Sequence, residues 1–520
     1  MNEYCRADAA AVARKHRAAL DALAADLGEG TGSASATDLG GGVDAASATD
    51  LGDGADGQLV RPDDSTSDDG TPAYDEARTV WNGLVDRFPA AVAYARDAAD
   101  VARILRTARE TGLGVAVRSG AHSVAGTSVC DGGIVLDCGA MNRVAVDADA
   151  GTAVVGPGAT WADLDGATAA ASPTDLDAAT AAHGFATPGG VVSDTGVAGL
   201  VLGGGTGWLT REAGLACDRL TRAEVVTAAG ECVTATADRN PDLFRALRGG
   251  GGNFGVVVSF AFDLVPIPDE LAVAETWYPL AEAPGLLAAY RDLLADAPPS
   301  TTVSPYVSRV PEGPAYPDAV AGDPGLCLLG VSTAPADRGA NDLRAYRDLG
   351  EPLADRTTRP SYPELQSMLD DDSPAGDRYY WKSIAVDRLA DDVIATFLDR
   401  ARAAPGERDT ALIWPLGGAV AELAPDETAF PRRDAAAVVN FEAAWSDPEA
   451  DDEHVDWARD SVAAIRDLGG EGELPNFAGN ETDDAAARAV FRDNYGWLRD
   501  AKTEWDPENV FGPSGRLSPW

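Results

Sequence analysis

One of only four histidines in this 520-residue chain, His122, stands in the stretch Arg118-Ser119-Gly120-Ala121-His122-Ser123-Val124-Ala125-Gly126. Small residues on both sides let backbone N–H groups approach a ligand closely, and successive N–H groups line anion-binding concavities. Arg118 adds a permanent positive charge. The local chemistry suits a phosphorylated cofactor with a nucleophilic imidazole beside it. The alternative is a structural histidine in a tight loop.

Two further stretches are too rich in glycine for a helix or strand interior. Gly189-Gly190-Val191-Val192-Ser193-Asp194-Thr195-Gly196-Val197-Ala198-Gly199-Leu200 runs into Gly203-Gly204-Gly205-Thr206-Gly207, a backbone able to lie against a flat or anionic ligand. Arg248-Gly249-Gly250-Gly251-Gly252-Asn253-Phe254-Gly255 formally contains G-x-G-x-x-G. A Rossmann fingerprint needs a strand before it and a helix after it. Here Asp242–Leu247 reads as helix and Val256–Phe260 as strand, so that reading is rejected.

The elements that position these stretches follow from periodicity. Gly114–Val117, Gly133–Asp137 and Thr152–Gly156 read as strands. Ala98–Thr111 reads as a helix with Val101, Ile104, Leu105 and Ala108 on one face, ended by Gly112 and Gly114. Trp161–Ala171 is expected to be helical, as is the stretch through Ala182 that ends at His183-Gly184. Residues 1–27 carry a charged amphipathic helix pattern. Residues 28–75 are rich in Gly, Ser, Thr and Asp, with Ser-Ala-Thr-Asp-Leu-Gly at 35–40 and again at 47–52, and are expected to be a disordered linker. After Pro266, strands such as Leu271–Tyr278, Thr301–Ser304 and Leu326–Val331 alternate with alanine-rich helices, which predicts an antiparallel sheet with helices on one face.

Together these motifs resemble the berberine bridge enzyme-like FAD-linked oxidases of the vanillyl-alcohol oxidase and p-cresol methylhydroxylase superfamily. The likeness is continuous from about Trp81 to Pro266 and covers most of residues 74–520. It implies an α+β fold: a two-part FAD-binding domain (76–266, completed by 479–520) interrupted by a substrate domain (267–478) whose sheet roofs the flavin. It implies FAD bonded through His122, with Arg118, Ser119, Gly120, Ala121, Ser123, Gly126, Gly190, Ser193, Thr195, Gly196, Gly199, Val257, Tyr495 and Asn509 holding the cofactor. Val192 stands where doubly attached relatives have cysteine, so attachment through His122 alone is expected. Thr195 stands at the position that gates oxygen, which leaves oxygen reactivity open.

The implied reaction is hydride transfer to the flavin from a carbon next to oxygen or nitrogen in a small-molecule alcohol, sugar or amine, with O2 as acceptor to give H2O2. The alternatives are an acceptor-linked dehydrogenase and a non-catalytic flavin-binding or sensor protein. The family's Tyr-x-Asn motif reads Leu474-Pro475-Asn476 here, and leucine cannot take a proton. In Arg378-Tyr379-Tyr380-Trp381-Lys382-Ser383, period-2 alternation puts Tyr380 and Lys382 on one face. That face is expected to look at the flavin, with Lys382 as base and Tyr380 as the alternative, a donor that positions the substrate.

Composition bounds the rest. There are 84 acidic against 41 basic residues, a net charge of −43, and the only lysines are Lys15, Lys382 and Lys502. Such an excess excludes a basic nucleic-acid-binding face and resembles halophilic proteins, whose self-repulsion salt screens. The six cysteines show no C-x-x-C spacing, so no zinc or other metal site and no redox dithiol is indicated. No apolar run reaches the length of a membrane span, and nothing in residues 1–27 resembles a signal peptide. A cytoplasmic protein without a membrane partner is expected.

Overall fold

The helix Ala98–Thr111 begins where the Asp97 carboxylate accepts hydrogen bonds from the N–H groups of Ala99 and Asp100, both at 2.9 Å. It ends at Gly112, whose φ of 70° suits a residue without a side chain. Val101, Ile104, Leu105 and Ala108 are buried along one face. This helix links Ala91–Tyr94 to Val115–Arg118, and both strands pair in parallel with Ile134–Asp137. The computed structural model describes residues 2–28, 58–63, 74–171, 182–481, 483–513, 515 and 517–519.

The N-terminal expectations need correction. Two helices, Asn2–Lys15 and Arg17–Gly28, replace the single one. Leu20, Leu23 and Leu27 join the core formed by Val101, Ile104 and Leu105, and Arg96 donates to the Leu27 carbonyl at 2.6 Å. Within the expected linker, Leu59–Val60 pairs antiparallel with Ala91–Tyr94, and Tyr74–Arg78 is helical with Tyr74 buried. Both copies of Ser-Ala-Thr-Asp-Leu-Gly lie outside the described residues. Ala182–Ala186, expected as a helix end, is a strand paired with Val265–Pro268. Pairing across the fold overrides the helix propensity of an alanine-rich segment. The preceding residues 172–181 lie outside the described residues.

A second sheet orders Val144–Asp147, Thr152–Val155, Val256–Asp263, Leu220–Val226 and Cys232–Ala235, all antiparallel. The largest sheet has seven antiparallel strands in the order Ala354–Thr358, Ala272–Pro279, Pro324–Ser332, Thr301–Arg309, Thr410–Pro415, Ala437–Trp445 and Arg378–Val386. One of its faces supplies Val303, Leu328, Ile384, Ile413, Val439 and Phe441 to a core shared with the helices Ala283–Ala295, Asp391–Arg402 and Asp451–Arg466. The other face is turned toward the glycine-rich segments.

The chain then returns to the first sheet. Val115 N–H donates to the Val510 carbonyl at 2.7 Å, and Phe511 is buried in the same core as Val115 and Ile134. Lys502, fully buried, reaches Asp506 at 2.6 Å and the Asn253 carbonyl at 3.0 Å, pinning this segment to the third glycine-rich stretch.

Candidate active site

A cavity of about 910 Å³ separates the glycine-rich segments from the seven-stranded sheet. His122 sits in its wall. The loop carrying it turns at Ala121 (φ 59°) and Gly126 (φ 69°), both left-handed. The imidazole stacks on Trp81 with ring centroids 5.1 Å apart, and Trp81 stacks in turn on Tyr379 at 4.0 Å. His122 Nε2 lies 3.2 Å from Asp194 Oδ1, and Nδ1 lies 3.5 Å from Thr195 Oγ1. Burial lowers the pKa of His122, against the opposing pull of Asp194, and so favours the neutral, nucleophilic ring.

Ser119, Gly120, Ala121, Ser123, Gly190, Thr195, Gly196, Gly199 and Val257 line the same cavity. Glycine is required where two of these segments meet, because a Cβ on Gly120 would overlap the backbone of Gly196, and the reverse holds too. Five of the residues expected to hold a cofactor stand outside this wall. Arg118 points to the far side of its strand, paired with Asp137 at 2.5 Å and donating to the Ala77 carbonyl at 2.6 Å, while its neighbours Val117 and Ser119 line the cavity. Gly126 packs against Val85. Ser193 is held by Asp370, through its N–H at 2.7 Å and its hydroxyl at 2.6 Å. The Tyr495 hydroxyl donates to Asp484. Asn509 occupies a left-handed turn (φ 54°) in the C-terminal segment.

The strand Arg378–Val386 alternates as expected, but with the opposite face inward. Tyr379 and Trp381 line the cavity. Tyr380 is buried against the helices, its hydroxyl 2.6 Å from Glu481 Oε1. Lys382 lies between Glu473 and Glu481, at 3.2 and 3.3 Å. Neither has access to a substrate in the cavity, which corrects the expectation that Lys382 or Tyr380 acts on it.

The sheet instead offers Tyr379, Trp381, Trp414, Tyr306 and Glu442 to the cavity. The sequence signal for the first two was the same alternation read from the other side. Glu442 carried no signal in a chain with 84 acidic residues. Near the end of the substrate domain, Asn476 donates to the Leu200 carbonyl at 3.2 Å and accepts from the Gly205 N–H at 3.0 Å, so it braces the second glycine-rich stretch. Leu474, two residues before it, is buried in the core and its N–H donates to Ser383.

Comparison with known proteins decides what this arrangement is. An FAD binding domain model matches residues 89–174 and 167–236, and a berberine and berberine-like model matches residues 473–513. The chain is 30% identical over 478 residues to (R)-6-hydroxynicotine oxidase of Paenarthrobacter nicotinovorans, covering 89% of this chain and 97% of that one. An uncharacterized FAD-linked oxidoreductase of Bacillus subtilis is 28% identical over 474 residues, covering 88% and 95%. The crystal structure of 6-hydroxy-D-nicotine oxidase from Arthrobacter nicotinovorans superposes with a TM-score of 0.73 at 27% identity, over 89% of this chain and 98% of that one. The chain belongs to the berberine-like FAD-linked oxidoreductases. A glucooligosaccharide oxidase from Acremonium strictum, described with a 6-S-cysteinyl, 8α-N1-histidyl FAD, shares the fold with a TM-score of 0.75 at 23% identity, over 89% of this chain and 98% of that one.

The residues present fit the FAD of this oxidoreductase family. The matched FAD-binding segment contains the His122 loop and the Gly190–Gly207 stretch that form one wall. Ser128 Oγ, Trp208 Nε1, Ser304 Oγ, Trp381 Nε1 and Trp414 Nε1 all belong to cavity-lining residues and are buried without a partner among the described residues. Unpaired buried donors are rare in native proteins unless a ligand or water meets them. Val192 lines the cavity and bears no thiol.

Proposed function

We propose that this oxidoreductase acts on a small amine or alcohol, sugars included, at a carbon bearing nitrogen or oxygen, with FAD attached through His122 alone and O2 as the acceptor that yields H2O2. The observation carrying the reading is the apposition, across one cavity, of the glycine-rich His122 wall and a sheet face rich in aromatic rings. Bound FAD supplies a two-electron acceptor that takes hydride from the substrate carbon.

The chain's own residues bind and orient. Aromatic faces such as Tyr379, Trp381 and Trp414 hold a ring or sugar plane and exclude water, which strengthens polar interactions inside the cavity. Asp194 at Nε2 fixes the His122 tautomer and leaves Nδ1 as the nucleophilic nitrogen. (R)-6-hydroxynicotine oxidase among the relatives and the loss of the family tyrosine at Leu474 support an amine, since an unprotonated amine needs little base.

The test is to add 6-hydroxynicotine, other cyclic amines and a glucooligosaccharide to the purified protein without oxygen while the flavin spectrum is recorded. Bleaching by one class, followed by recovery of colour in air with H2O2 formation, is expected. A flavin that no compound bleaches sinks the reading, and one that stays bleached in air removes the oxidase half of it.

A further inference from the structure

The segment 359–377 joins Ala354–Thr358 to Arg378–Val386, the two edge strands of the seven-stranded sheet, and so has to cross the width of that sheet. It crosses on the cavity side, where Leu369, Asp371 and Asp372 line the wall. Three of its side chains, spaced four residues apart, reach the glycine-rich side of the molecule. The Tyr362 hydroxyl donates to the Thr187 carbonyl at 3.4 Å, and the Gln366 amide reaches Asp165 at 3.1 Å in the helix Trp161–Ala170. Asp370 accepts from the Ser193 N–H at 2.7 Å and from its hydroxyl at 2.6 Å.

This last contact falls next to the groups that hold His122. Ser193 directly precedes Asp194 and Thr195, whose side chains meet the two imidazole nitrogens. The Asp194 side chain is 67% exposed, so the backbone that carries it, rather than packing, has to fix its position. The carbonyls of Ser193 and Thr195 accept from the N–H groups of Ala162 and Trp161 at 2.8 and 3.0 Å, and Asp370 secures the remaining side of Ser193. The same segment reaches the other support of the ring. The Ser373 carbonyl accepts from Trp81 Nε1 at 3.0 Å, and Trp81 stacks on the imidazole.

We propose that Asp370 is a positioning residue for flavin attachment: by holding Ser193 it places Asp194 and Thr195 around His122, so that the imidazole is aimed before the bond to FAD forms. The proposal rests on the reading above that FAD is attached through His122. In that step an N–C bond forms between His122 Nδ1 and the 8α-methyl carbon of FAD. One C–H bond of the methyl breaks and its proton goes to solvent, and the Nε2–H proton of the ring passes to Asp194 and then to solvent. The electron pair of the C–H bond stays on the flavin ring, which takes up two protons, and O2 accepts both electrons and both protons to give H2O2. Asp370 does not line the cavity and acts only through the segment it holds. Burial lowers the pKa of His122, and the charges of Asp194 and Asp370 oppose it. The Asp370 charge by itself therefore disfavours the neutral, nucleophilic ring, and what this residue contributes is position. A reacting group displaced by about 1 Å can lose about 100-fold in rate.

The test follows attachment in full-length protein made without flavin and then supplied with FAD, read as the flavin that stays with the polypeptide after acid precipitation. Asp370→Ala should attach FAD about 10- to 100-fold more slowly than wild type while still binding it without a bond. Asp370→Asn keeps an acceptor for the Ser193 N–H and offers its amide N–H to the Ser193 hydroxyl oxygen, so it should attach FAD at close to the wild-type rate. Gln366→Ala breaks the contact four residues earlier and should lower the melting temperature with attachment unchanged. A wild-type rate in Asp370→Ala overturns the proposal. So does an Asp370→Asn protein as slow as Asp370→Ala, because charge rather than position would then matter. A Gln366→Ala protein as slow as Asp370→Ala also overturns it, because docking of the whole segment would then be the cause. Should Asp370→Ala fail to fold, Ser193→Ala, which loses only the hydroxyl contact, decides in its place. Slower attachment at an unchanged melting temperature supports the proposal there, and a wild-type rate overturns it. Wild-type flavin released by acid overturns the attachment reading itself, and so the two failures are distinct.

Discussion

Lys382 Nζ lies 3.2 Å from Glu473 Oε2, on the face of its strand turned away from the cavity. The Glu473 side chain is only 5% exposed and also receives Arg466 at 3.0 Å. Removing one partner of a buried ion pair leaves the other charge desolvated and uncompensated. Lys382→Met should therefore lower the melting temperature by several degrees, with Arg466 limiting the loss. Flavin reduction should stay within about two-fold of wild type, because general-base removal costs on the order of 100-fold or more and this amine cannot reach the cavity. A 100-fold slower reduction with unchanged melting would reverse that assignment.

Attachment is read by acid precipitation. Flavin should remain with the polypeptide in the wild type and in Val192→Ala, and pass to the supernatant in His122→Ala. Asp194→Ala removes the group 3.2 Å from Nε2 and should lower the covalently bound fraction without abolishing FAD binding. Equal covalent yield in wild type and Asp194→Ala would show that Thr195 and the surrounding backbone are enough to set the tautomer.

Asp165 makes stability depend on pH. Asp165 is 1% exposed, with one carboxylate oxygen 3.1 Å from the Gln366 amide and the other unpaired among the described residues. Burial raises its pKa from 3.8 to about 8. Between those values the folded state binds a proton that the unfolded chain has lost, so stability falls as pH rises through this window. A tenfold difference in proton affinity between the two states corresponds to about 1.4 kcal/mol. Asp165→Asn keeps a neutral side chain and should melt higher than wild type at pH 8, with little difference at pH 4. Parallel pH–melting curves for the two proteins would contradict this.

Truncation tests the N-terminal helices. Leu20, Leu23 and Leu27 are all almost fully buried against the helix Ala98–Thr111. Burying one leucine side chain is worth about 1.5–3 kcal/mol. A chain starting at residue 73 should melt well below the full-length protein and expose apolar surface. Unchanged melting would mean that these helices are dispensable to the core.

Salt tests the charge. With 84 acidic and 41 basic residues, repulsion between exposed carboxylates is strongest when the Debye length is long. The melting temperature should rise steadily from about 0.01 M salt, where the Debye length is about 30 Å, to about 1 M, where it is about 3 Å. A flat dependence removes the halophilic reading.

The local elements were legible in the sequence because their causes are local. One apolar face and Gly112 mark the helix Ala98–Thr111, and the glycines of Gly189–Gly207 announce a backbone packed too closely for side chains. The His122 loop was legible for the same reason, as small residues around one imidazole. What the tertiary structure alone decided is which side of a strand faces in. A period of two divides Arg378–Val386 into two faces but gives neither a direction. Helices cover the face bearing Tyr380, and Glu473 and Glu481 meet Lys382 from segments about a hundred residues downstream. Arg118 followed the same logic, captured by Asp137 of a neighbouring strand rather than by a ligand. Glu442 was invisible for the converse reason. One carboxylate among many carries no local mark of the folded sheet that turns it toward the cavity and buries it.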